Sequence, residues 1–501
     1  MAIITTAPVP ATGAASPTVR GPHAVALGLF LLVWLSCIWF GSNPYNPNTA
    51  TRLFAAISLV EDGDATIDQF QTDTLDKAEF NGRIYSDKNP GVTLMAMPAV
   101  WIADRVTGER ARDHTLAFYN RGLARYIDIR LQLAVATSSA LLLGLASVLL
   151  LDLATGITGN PRAGLVTALA YALGTPAWGW STTLFGHAPV GALLVIAAWA
   201  VWRGTSGMRE LARWRYPLLL GLALGWAIVI ELAAALPAAV IGAWAIWCTR
   251  GLAPAQRWRL AAMTAAAGIV ALLPMLAYNQ IAFGSWFKLG YQGVVGYDGM
   301  KRGLFGLTYP HAAVLGEILV GLRRGLVFVA PILLLAPIGL VQLIRRPATR
   351  DLGIMASALA VTLLLYNASY FYWDGGYSTG PRHAMPAMAF LALGIAPLWQ
   401  SWGRNGRRTI AALLGLSIVL NLAIAAADVT APAAYAFPIA DPILRKVFDL
   451  EIRTFASDWW GWPTWRGLAL YLVVALPLTW FLFRATSLSE RRGRPIQATV
   501  A

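Results

Sequence analysis

Long apolar segments recur along the whole chain, and short polar connectors separate them. The runs near or above the roughly 18 residues that cross a bilayer lie at 23–41, 128–152, 163–179, 188–202, 216–248, 259–281, 325–344, 352–371, 384–400, 409–427 and 467–484. The run at 216–248 is too long for one untilted helix and predicts two short spans that meet between Glu231 and Pro237. The pattern therefore predicts about twelve transmembrane helices.

The composition of the chain supports this prediction. Of the 501 residues, 57% are hydrophobic and only 13% are charged, whereas soluble domains carry about 25% charged residues. A charge at the centre of a bilayer costs at least about 2.5 kcal/mol, so lipid-facing helices require such a deficit. We expect an all-α polytopic membrane protein, and a soluble fold is excluded.

The arginines are concentrated in short connectors between the apolar segments. The five basic connectors contain Arg203, Arg209, Arg213 and Arg215; Arg250, Arg257 and Arg259; Arg345, Arg346 and Arg350; Arg404, Arg407 and Arg408; and Arg491, Arg492 and Arg494. With a cytoplasmic N-terminus, all five fall on the cytoplasmic side, as the positive-inside rule demands. The net charge of +14 is therefore a topology signal, and we expect no nucleic-acid partner.

The apolar segment 90–104 is too short to span the membrane. If it crossed, every later connector would change sides, so we predict a juxtamembrane helix that lies flat in the outer interface. The chain then divides into a disordered cytoplasmic tail (1–22), a transmembrane domain (23–485) and a cytoplasmic C-terminal tail (486–501). Within the domain, residues 42–127 form a long extracytoplasmic loop, so we expect the chemistry on the outer face.

Eight of the 25 acidic residues of the chain lie in this first outer loop between residues 61 and 87. They are Glu61, Asp62, Asp64, Asp68, Asp73, Asp76, Glu79 and Asp87. Asp87 and Lys88 stand directly before Pro90 and Gly91, which force a turn ahead of the juxtamembrane helix. An ammonium at headgroup level would neutralise a leaving phosphate, while the carboxylate takes a proton from an acceptor. The alternative is an ordinary solvated loop.

Several stretches resemble a known family of membrane enzymes. The sequences NPNTATRLFAA, DGDATIDQF and TLDKAEFNGRIYSDKNPGVTLMAMP resemble the first periplasmic loop of bacterial GT-C fold glycosyltransferases, the relatives of protein O-mannosyltransferases and lipid A aminoarabinose transferases. WDGGYSTGPRHAMPAM and GSWFKLGY are similar to later loops of that family. The resemblance implies a GT-C fold in the bacterial inner membrane, a polyprenyl-phosphate sugar donor, and a lipid, glycan or protein acceptor.

The resemblance also implies roles for residues of the first loop. Arg52 matches the arginine of the family, but the acidic residue expected about three positions earlier is Thr49 here. The catalytic base is therefore assigned to another carboxylate, Asp87 by preference, with Asp68 and Asp76 next. Glu61, Asp62 and Asp64 stay open as further choices.

The remaining candidates surround the donor and the acceptor. The residues expected at the donor phosphate are Lys88, Arg52, Arg382 and Arg323. The residues expected at the substrate are Asp374, His187 and Glu231. Each has a structural alternative: a snorkelling anchor for Arg382, a turn for Asp374, an interfacial hydrogen bond for His187 and an ion pair for Glu231.

No cofactor is certain from the sequence. It contains no histidine-based set of metal ligands, although a divalent metal is possible, and no glycine-rich loop for a nucleotide sugar. Two other functions stay open. One is a polymerase or ligase of lipid-linked oligosaccharides, which usually places its large loop late in the chain. The other is a polyprenyl-lipid flippase or transporter, for which charges at mid-membrane and internal repeats are typical.

Overall fold

The computed structural model describes residues 22–41, 46–117, 120–206 and 214–492. Residues 1–21 of the predicted N-terminal tail and residues 493–501 of the predicted C-terminal tail lie outside this range. The helices are α1 (Pro22–Trp39), α2 (Pro47–Glu61), α3 (Gly91–Thr107), α4 (Arg121–Thr137), α5 (Ser139–Thr158), α6 (Pro161–Ala172), α7 (Ala177–Trp180), α8 (His187–Thr205), α9 (Arg215–Ile230), α10 (Ala235–Cys248), α11 (Pro254–Phe283), α12 (Ala312–Val320), α13 (Leu326–Val329), α14 (Ala336–Arg345), α15 (Arg350–Ser369), α16 (Met388–Leu393), α17 (Ile395–Ser401), α18 (Arg404–Ala427), α19 (Arg445–Phe448), α20 (Phe455–Trp460) and α21 (Thr464–Arg492). The strands β1 (Ala78–Phe80) and β2 (Arg83–Tyr85) form one antiparallel hairpin.

The predicted fold class is confirmed: the protein is a mostly helical polytopic membrane protein. Within the described residues, seven helical segments have the length and apolar composition of a membrane span, and four shorter apolar helices accompany them. The seven segments are 121–158, 187–205, 254–283, 347–369, 382–401, 404–427 and 464–487. Several of the predicted spans are therefore short or broken helices.

Three predicted boundaries change in the structure. The helix expected at 128–152 begins at Arg121. The span expected at 325–344 breaks into α13, a 3-10 turn and α14, because Pro331 has no N–H to continue the helix. At the other end of the chain, α21 continues to Arg492, beyond the predicted start of the C-terminal tail.

The predicted break near Glu231 is present, and the start of α3 packs against it. Helix α9 ends at Ile230, and Glu231 takes an extended backbone conformation. Gly91, at the start of α3, packs against this break so closely that a Cβ atom would lie 2.6 Å from the backbone nitrogen of Ile230. A glycine is required here because any larger side chain would push α3 away. The turn at Asp87 is thereby held beside Glu231.

Local sequence explains why α2 begins where it does. The Asn46 side chain accepts hydrogen bonds from the backbone N–H groups of Asn48 (3.1 Å) and Thr49 (3.4 Å), and Pro47 occupies the first helical position. Asn48 and Arg52 are four residues apart and share one face of the helix. That face points towards Glu231, as the contacts below show.

A buried ion pair fixes α3 to α4. Arg130 is fully buried and donates to the Asp104 carboxylate through Nε (2.9 Å) and Nη2 (2.5 Å). It also donates to the carbonyl oxygens of Tyr126 (3.0 Å) and Glu109 (2.9 Å). The guanidinium therefore makes four hydrogen bonds to three residues, which is what a buried charge requires.

Replacing Arg130 by Met is expected to lower the free energy of unfolding by about 3–5 kcal/mol, because Asp104 would keep a part-buried charge without its cation. The measurement is thermal unfolding of the purified protein in detergent. Arg105→Met is the matched control, since Arg105 is exposed on the same helix as Asp104 and should change stability by about 0.5 kcal/mol or less. Equal effects of the two variants would contradict the role assigned to the pair.

The arginines at the ends of α8, α15 and α18 lie at one end of the bundle. Helix α8 starts at His187 and carries Arg203 in its last turn, whereas α15 and α18 start at Arg350 and Arg404 and run the other way. The C-terminal ends of α15 and α18 contact the segment 370–383, and His383 of this segment packs against His187. The connectors of these helices therefore share one end, and the opposite end holds the site described next.

Candidate active site

A cavity of about 450 Å³ lies where the first outer loop, the break after α9, the loop after α11 and the segment after α15 converge. The charged residues and histidines that line it are Arg52, Asp76, Asp87, Lys88, His187, Glu231, Asp374, Arg382 and His383. All the residues predicted for the site line this cavity except Asp68 and Arg323. Six tyrosines line it as well, namely Tyr291, Tyr297, Tyr366, Tyr370, Tyr372 and Tyr377.

Lys88 stands between two carboxylates. Its Nζ lies 3.0 Å from Asp76 Oδ2 and 2.6 Å from Asp87 Oδ2. Asp87 is 2% exposed, and its Oδ1 has no hydrogen-bond partner within the described part of the chain. Asp76 is better satisfied, because Tyr297 donates its hydroxyl to Oδ1 at 2.9 Å. The Lys88 ammonium therefore pairs with two carboxylates whose surroundings differ.

These surroundings shift the pKa values of the two carboxyl groups in opposite directions. Burial raises the pKa of Asp87, and the neighbouring Asp76 charge adds to the shift. Burial also acts on Asp76, but there the Lys88 ammonium prevails with help from the Tyr297 hydroxyl, so the pKa of Asp76 is lowered. Burial opposes the charge of Lys88, yet the two carboxylates more than offset this and raise its pKa. Such a separation suits one permanently ionised acid and one acid that exchanges a proton.

The guanidinium of Arg52 is bound to other protein groups. Its Nη2 lies 2.9 Å from Glu231 Oε1, and its Nη1 donates to the backbone carbonyl of Asn48 at 3.1 Å and also to the Asn48 side chain. Asn48 in turn donates to Asp76 Oδ2 at 3.3 Å. Tyr291 donates its hydroxyl to Glu231 Oε2 at 3.3 Å. Glu231 therefore forms an ion pair, which is the structural alternative predicted from the sequence. It also lines the cavity.

Arg382 differs from the other cations of the cavity. Within the described residues its guanidinium forms no ion pair or hydrogen bond, and its Nε is buried without a partner. The guanidinium carbon lies 4.9 Å from the centre of the Phe185 ring. Gly375 permits this position, because a Cβ atom there would lie 2.8 Å from Arg382 Nε. An unpaired guanidinium in a buried cavity is costly, which points to an anionic ligand.

Arg323 and Asp374 form a pair at the edge of the cavity. Arg323 Nη2 lies 2.7 Å from Asp374 Oδ2. Asp374 also accepts a hydrogen bond from the Gly376 N–H at 3.0 Å, and its carbonyl oxygen accepts one from Arg324 at 2.7 Å. Asp374 therefore shapes a turn while it lines the cavity, and Arg323 lies behind it and outside the lining.

Asp68 lies away from the cavity. It pairs with the exposed Arg83 and accepts a hydrogen bond from the Ile84 N–H at 2.6 Å. These contacts tie the turn at Asp68 to strand β2, at the surface of the first loop. Asp68, a candidate base from the sequence, is therefore not brought together with the other candidates in the cavity.

Two histidines meet at the wall of the cavity. The rings of His187 and His383 pack edge to face with their centres 5.0 Å apart, and Tyr370 packs on His383 at 4.9 Å. His383 is buried, and its Nε2 has no partner among the described residues. Sequence reasoning proposed His187 but missed His383, although His383 follows Arg382 directly.

Sequence reasoning also missed the tyrosines. Tyr297 binds Asp76, and the hydroxyl of Tyr372 accepts a hydrogen bond from the Gly299 N–H at 3.0 Å. The second contact joins the loop after α11 to the segment after α15 and closes one wall of the cavity. The available signal was the density of tyrosine in FYWDGGY and GYQGVVGY, which equally fits an interfacial aromatic belt.

No group of three or more His, Cys, Asp or Glu side chains with the arrangement of metal ligands occurs among the residues described by the structure. The carboxylates of Asp76 and Asp87 that face each other are bridged by Lys88.

Comparisons with known proteins identify the fold. No protein-family model matches the sequence, and no curated protein matches it significantly. Among solved structures, ArnT from Cupriavidus metallidurans bound to undecaprenyl phosphate is similar with a TM-score of 0.53 and 17% identity, over 94% of this chain and 78% of that one.

Two further structures give lower scores. The apo state of the same ArnT has a TM-score of 0.48 and 16% identity, over 94% of this chain and 77% of that one. The arabinosyltransferase EmbB from Mycobacterium smegmatis has a TM-score of 0.45 and 14% identity, over 95% of this chain and 42% of that one. The similarity to ArnT with bound lipid confirms the fold that the motifs of the first loop implied: this chain has the GT-C fold.

Proposed function

We propose that the protein transfers a glycosyl group from a polyprenyl-phosphate sugar to a hydroxyl of a lipid, glycan or protein acceptor, at the outer face of the bacterial inner membrane. The observation that carries this proposal is the cavity in which the cluster of Asp76, Lys88 and Asp87 accompanies the unpaired Arg382. The solved relative with this fold holds undecaprenyl phosphate, which supports a lipid phosphate as the ligand.

The phosphate of the donor would lie between Lys88 and Arg382. Both cations line the cavity, and Arg382 has no competing partner in the described part of the protein. Their charges would stabilise the phosphate as it takes up the electron pair of the broken bond. Arg52, which is paired with Glu231, would contribute at longer range, and Arg323 would act through Asp374.

Asp87 is the preferred base. Its unpartnered Oδ1 would accept the proton of the acceptor hydroxyl, and its raised pKa makes it a better proton acceptor than an ordinary carboxylate. The acceptor oxygen forms a bond to the anomeric carbon while the bond from that carbon to the phosphate oxygen breaks. The configuration inverts, and polyprenyl phosphate leaves. Asp76 stays ionised and holds Lys88 in place.

Other side chains that line the cavity would position the sugar and the acceptor. His187, Asp374 and Glu231 line the cavity around the charged cluster. The tyrosine rings provide flat apolar faces on which a sugar ring stacks. Because Tyr297 and Tyr372 are fixed by hydrogen bonds to the protein, their rings offer contact area at little cost in conformational entropy.

The purified protein, reconstituted in liposomes with a radiolabelled undecaprenyl-phosphate sugar and membrane extract as acceptor, is expected to release undecaprenyl phosphate and to label the acceptor. The measurement is the partition of the label between lipid and acceptor. Movement of intact labelled lipid between leaflets without release would favour a flippase. Growth of the labelled glycan on its own lipid would favour a polymerase.

A further inference from the structure

A second cavity lies at the end of the bundle opposite to the candidate active site. Its volume is about 480 Å³. It is lined by Trp399, Trp402, Gly403, Arg404, Arg407, Arg408 and Ala411, where α17 turns into α18. Arg382 of the candidate active site and Ser401 are the two ends of one apolar segment of spanning length, so they lie about 30 Å apart. We call this second cavity the arginine groove.

The polar groups of the arginine groove are donors of hydrogen bonds. Arg404 and Arg408 are exposed and form no ion pair within the described ranges. Arg407 is oriented by donation from its Nε to the Trp399 carbonyl oxygen at 2.8 Å. Helix α18 starts here, and its N-cap residue Gly403 provides no side-chain acceptor for the free N–H groups of the first turn. Among the residues that the structure describes, no carboxylate lines the groove.

The indole of Trp399 gives an independent indication of a ligand. Trp399 is 9% exposed, lines the groove, and its Nε1 is buried without a partner among the residues that the structure describes. Buried Trp N–H groups usually find an acceptor, because leaving one unsatisfied costs free energy. Three guanidinium groups and a helix N-terminus favour an anionic ligand here, and the oxygen atoms of such a ligand would also satisfy the indole N–H.

The position of the groove indicates where that acceptor comes from. Further along α18, Leu416 (50% exposed) and Val419 (63% exposed) lie at the surface of the helix bundle. In a membrane protein, lipid covers such an exposed apolar surface. The first turn of α18, which carries the arginines, therefore stands at the level of the headgroups. Basic pockets between helices at this level bind the phosphates of anionic lipids.

We propose that the arginine groove binds the phosphate headgroup of an anionic phospholipid, at the membrane face opposite to the candidate active site. The guanidinium groups of Arg404 and Arg408 clasp the phosphate, Arg407 packs beside them, and the acyl chains run along the apolar face of α18. Binding here does not depend on glycosyl transfer and anchors the turn between α17 and α18.

The test is native mass spectrometry of the full-length protein titrated in detergent with phosphatidylglycerol. Wild type is expected to retain this lipid. A variant that combines Arg404→Gln, Arg407→Gln and Arg408→Gln should bind it about 10- to 100-fold more weakly. The matched control combines Arg345→Gln, Arg346→Gln and Arg350→Gln, which removes the same charge from the same end of the bundle and outside the groove. This control should bind as wild type does.

Equal weakening in both triple variants would overturn the proposal, because it would indicate a diffuse basic belt. Equal binding of phosphatidylcholine to wild type would overturn it too, as would full displacement of the lipid by millimolar inorganic phosphate, which would indicate a site for the free ion. A second variant, Trp399→Phe, keeps an aromatic side chain but removes the N–H donor together with the five-membered ring of the indole, and a several-fold loss of affinity is expected. Unfolding temperatures measured without added lipid show whether each variant is folded.

Discussion

Replacing Asp87 by Asn is expected to lower the rate of glycosyl transfer by about 10²- to 10⁴-fold, the contribution typical of a general base. Asn has almost the same shape as Asp and still reaches Lys88, but it does not accept a proton from the acceptor hydroxyl. The measurement is the rate of undecaprenyl phosphate release at saturating donor and acceptor. Donor affinity should change little, because the phosphate is held by Lys88 and Arg382.

Asp68→Asn is the matched control for this variant. Asp68 belongs to the same loop, but it pairs with Arg83 outside the cavity, so its loss should leave the rate within a few-fold of wild type. If Asp87→Asn kept full activity while Asp76→Asn lost it, the base would be Asp76. If both kept it, the carboxylate cluster would have no part in catalysis.

The pH dependence of the wild-type enzyme gives a second readout of the same role. The base acts in its ionised form, so activity is lost as the pH falls through the pKa of Asp87. Because burial and the Asp76 charge raise this pKa, the loss should begin above the ordinary aspartate value of about 3.9. Asp76 has a lowered pKa and stays charged over that range. An activity that stayed constant down to about pH 4 would contradict the assignment to Asp87.

Replacing Arg382 by Gln is expected to weaken donor binding by 30-fold or more, since the loss of a buried contact between charged groups costs about 2–5 kcal/mol. Arg382 is the cavity cation without a protein partner in the described residues, so its charge is available to the phosphate. The measurement is the dissociation constant for undecaprenyl phosphate, which separates binding from chemistry. Rescue by Lys should be partial, because an ammonium does not form the two parallel bonds of a guanidinium.

Arg323→Gln is the control for Arg382. Arg323 carries the same charge, but it is paired with Asp374 and stands outside the lining of the cavity. Its loss should weaken donor binding less than the loss of Arg382, and mainly through the released Asp374. An Arg323 variant that lost as much affinity as the Arg382 variant would place the phosphate at the other edge of the cavity.

The sequence by itself determined the membrane character, the fold class and several local features of the site. The apolar runs and the arginine connectors are read along the chain and need no knowledge of its folding. The break at Glu231 and the turn at Asp87 were visible for the same reason, because charge, proline and glycine act on the backbone nearby. The resemblance of the first loop added the GT-C fold and the proposed donor.

Only the tertiary structure decided which charges face one another. Asp68 and Asp76 lie in one loop and look equivalent in sequence. In the structure, Asp68 pairs with Arg83 at the surface. Asp76 contacts Lys88 and Tyr297 in the cavity. Partners of this kind come from segments far apart in sequence, and spacing along a chain contains no information about their distance in space. For the same reason, the pairing of Arg52 with Glu231 and the isolation of Arg382 appear only when the loops after α2, α9 and α15 are packed together.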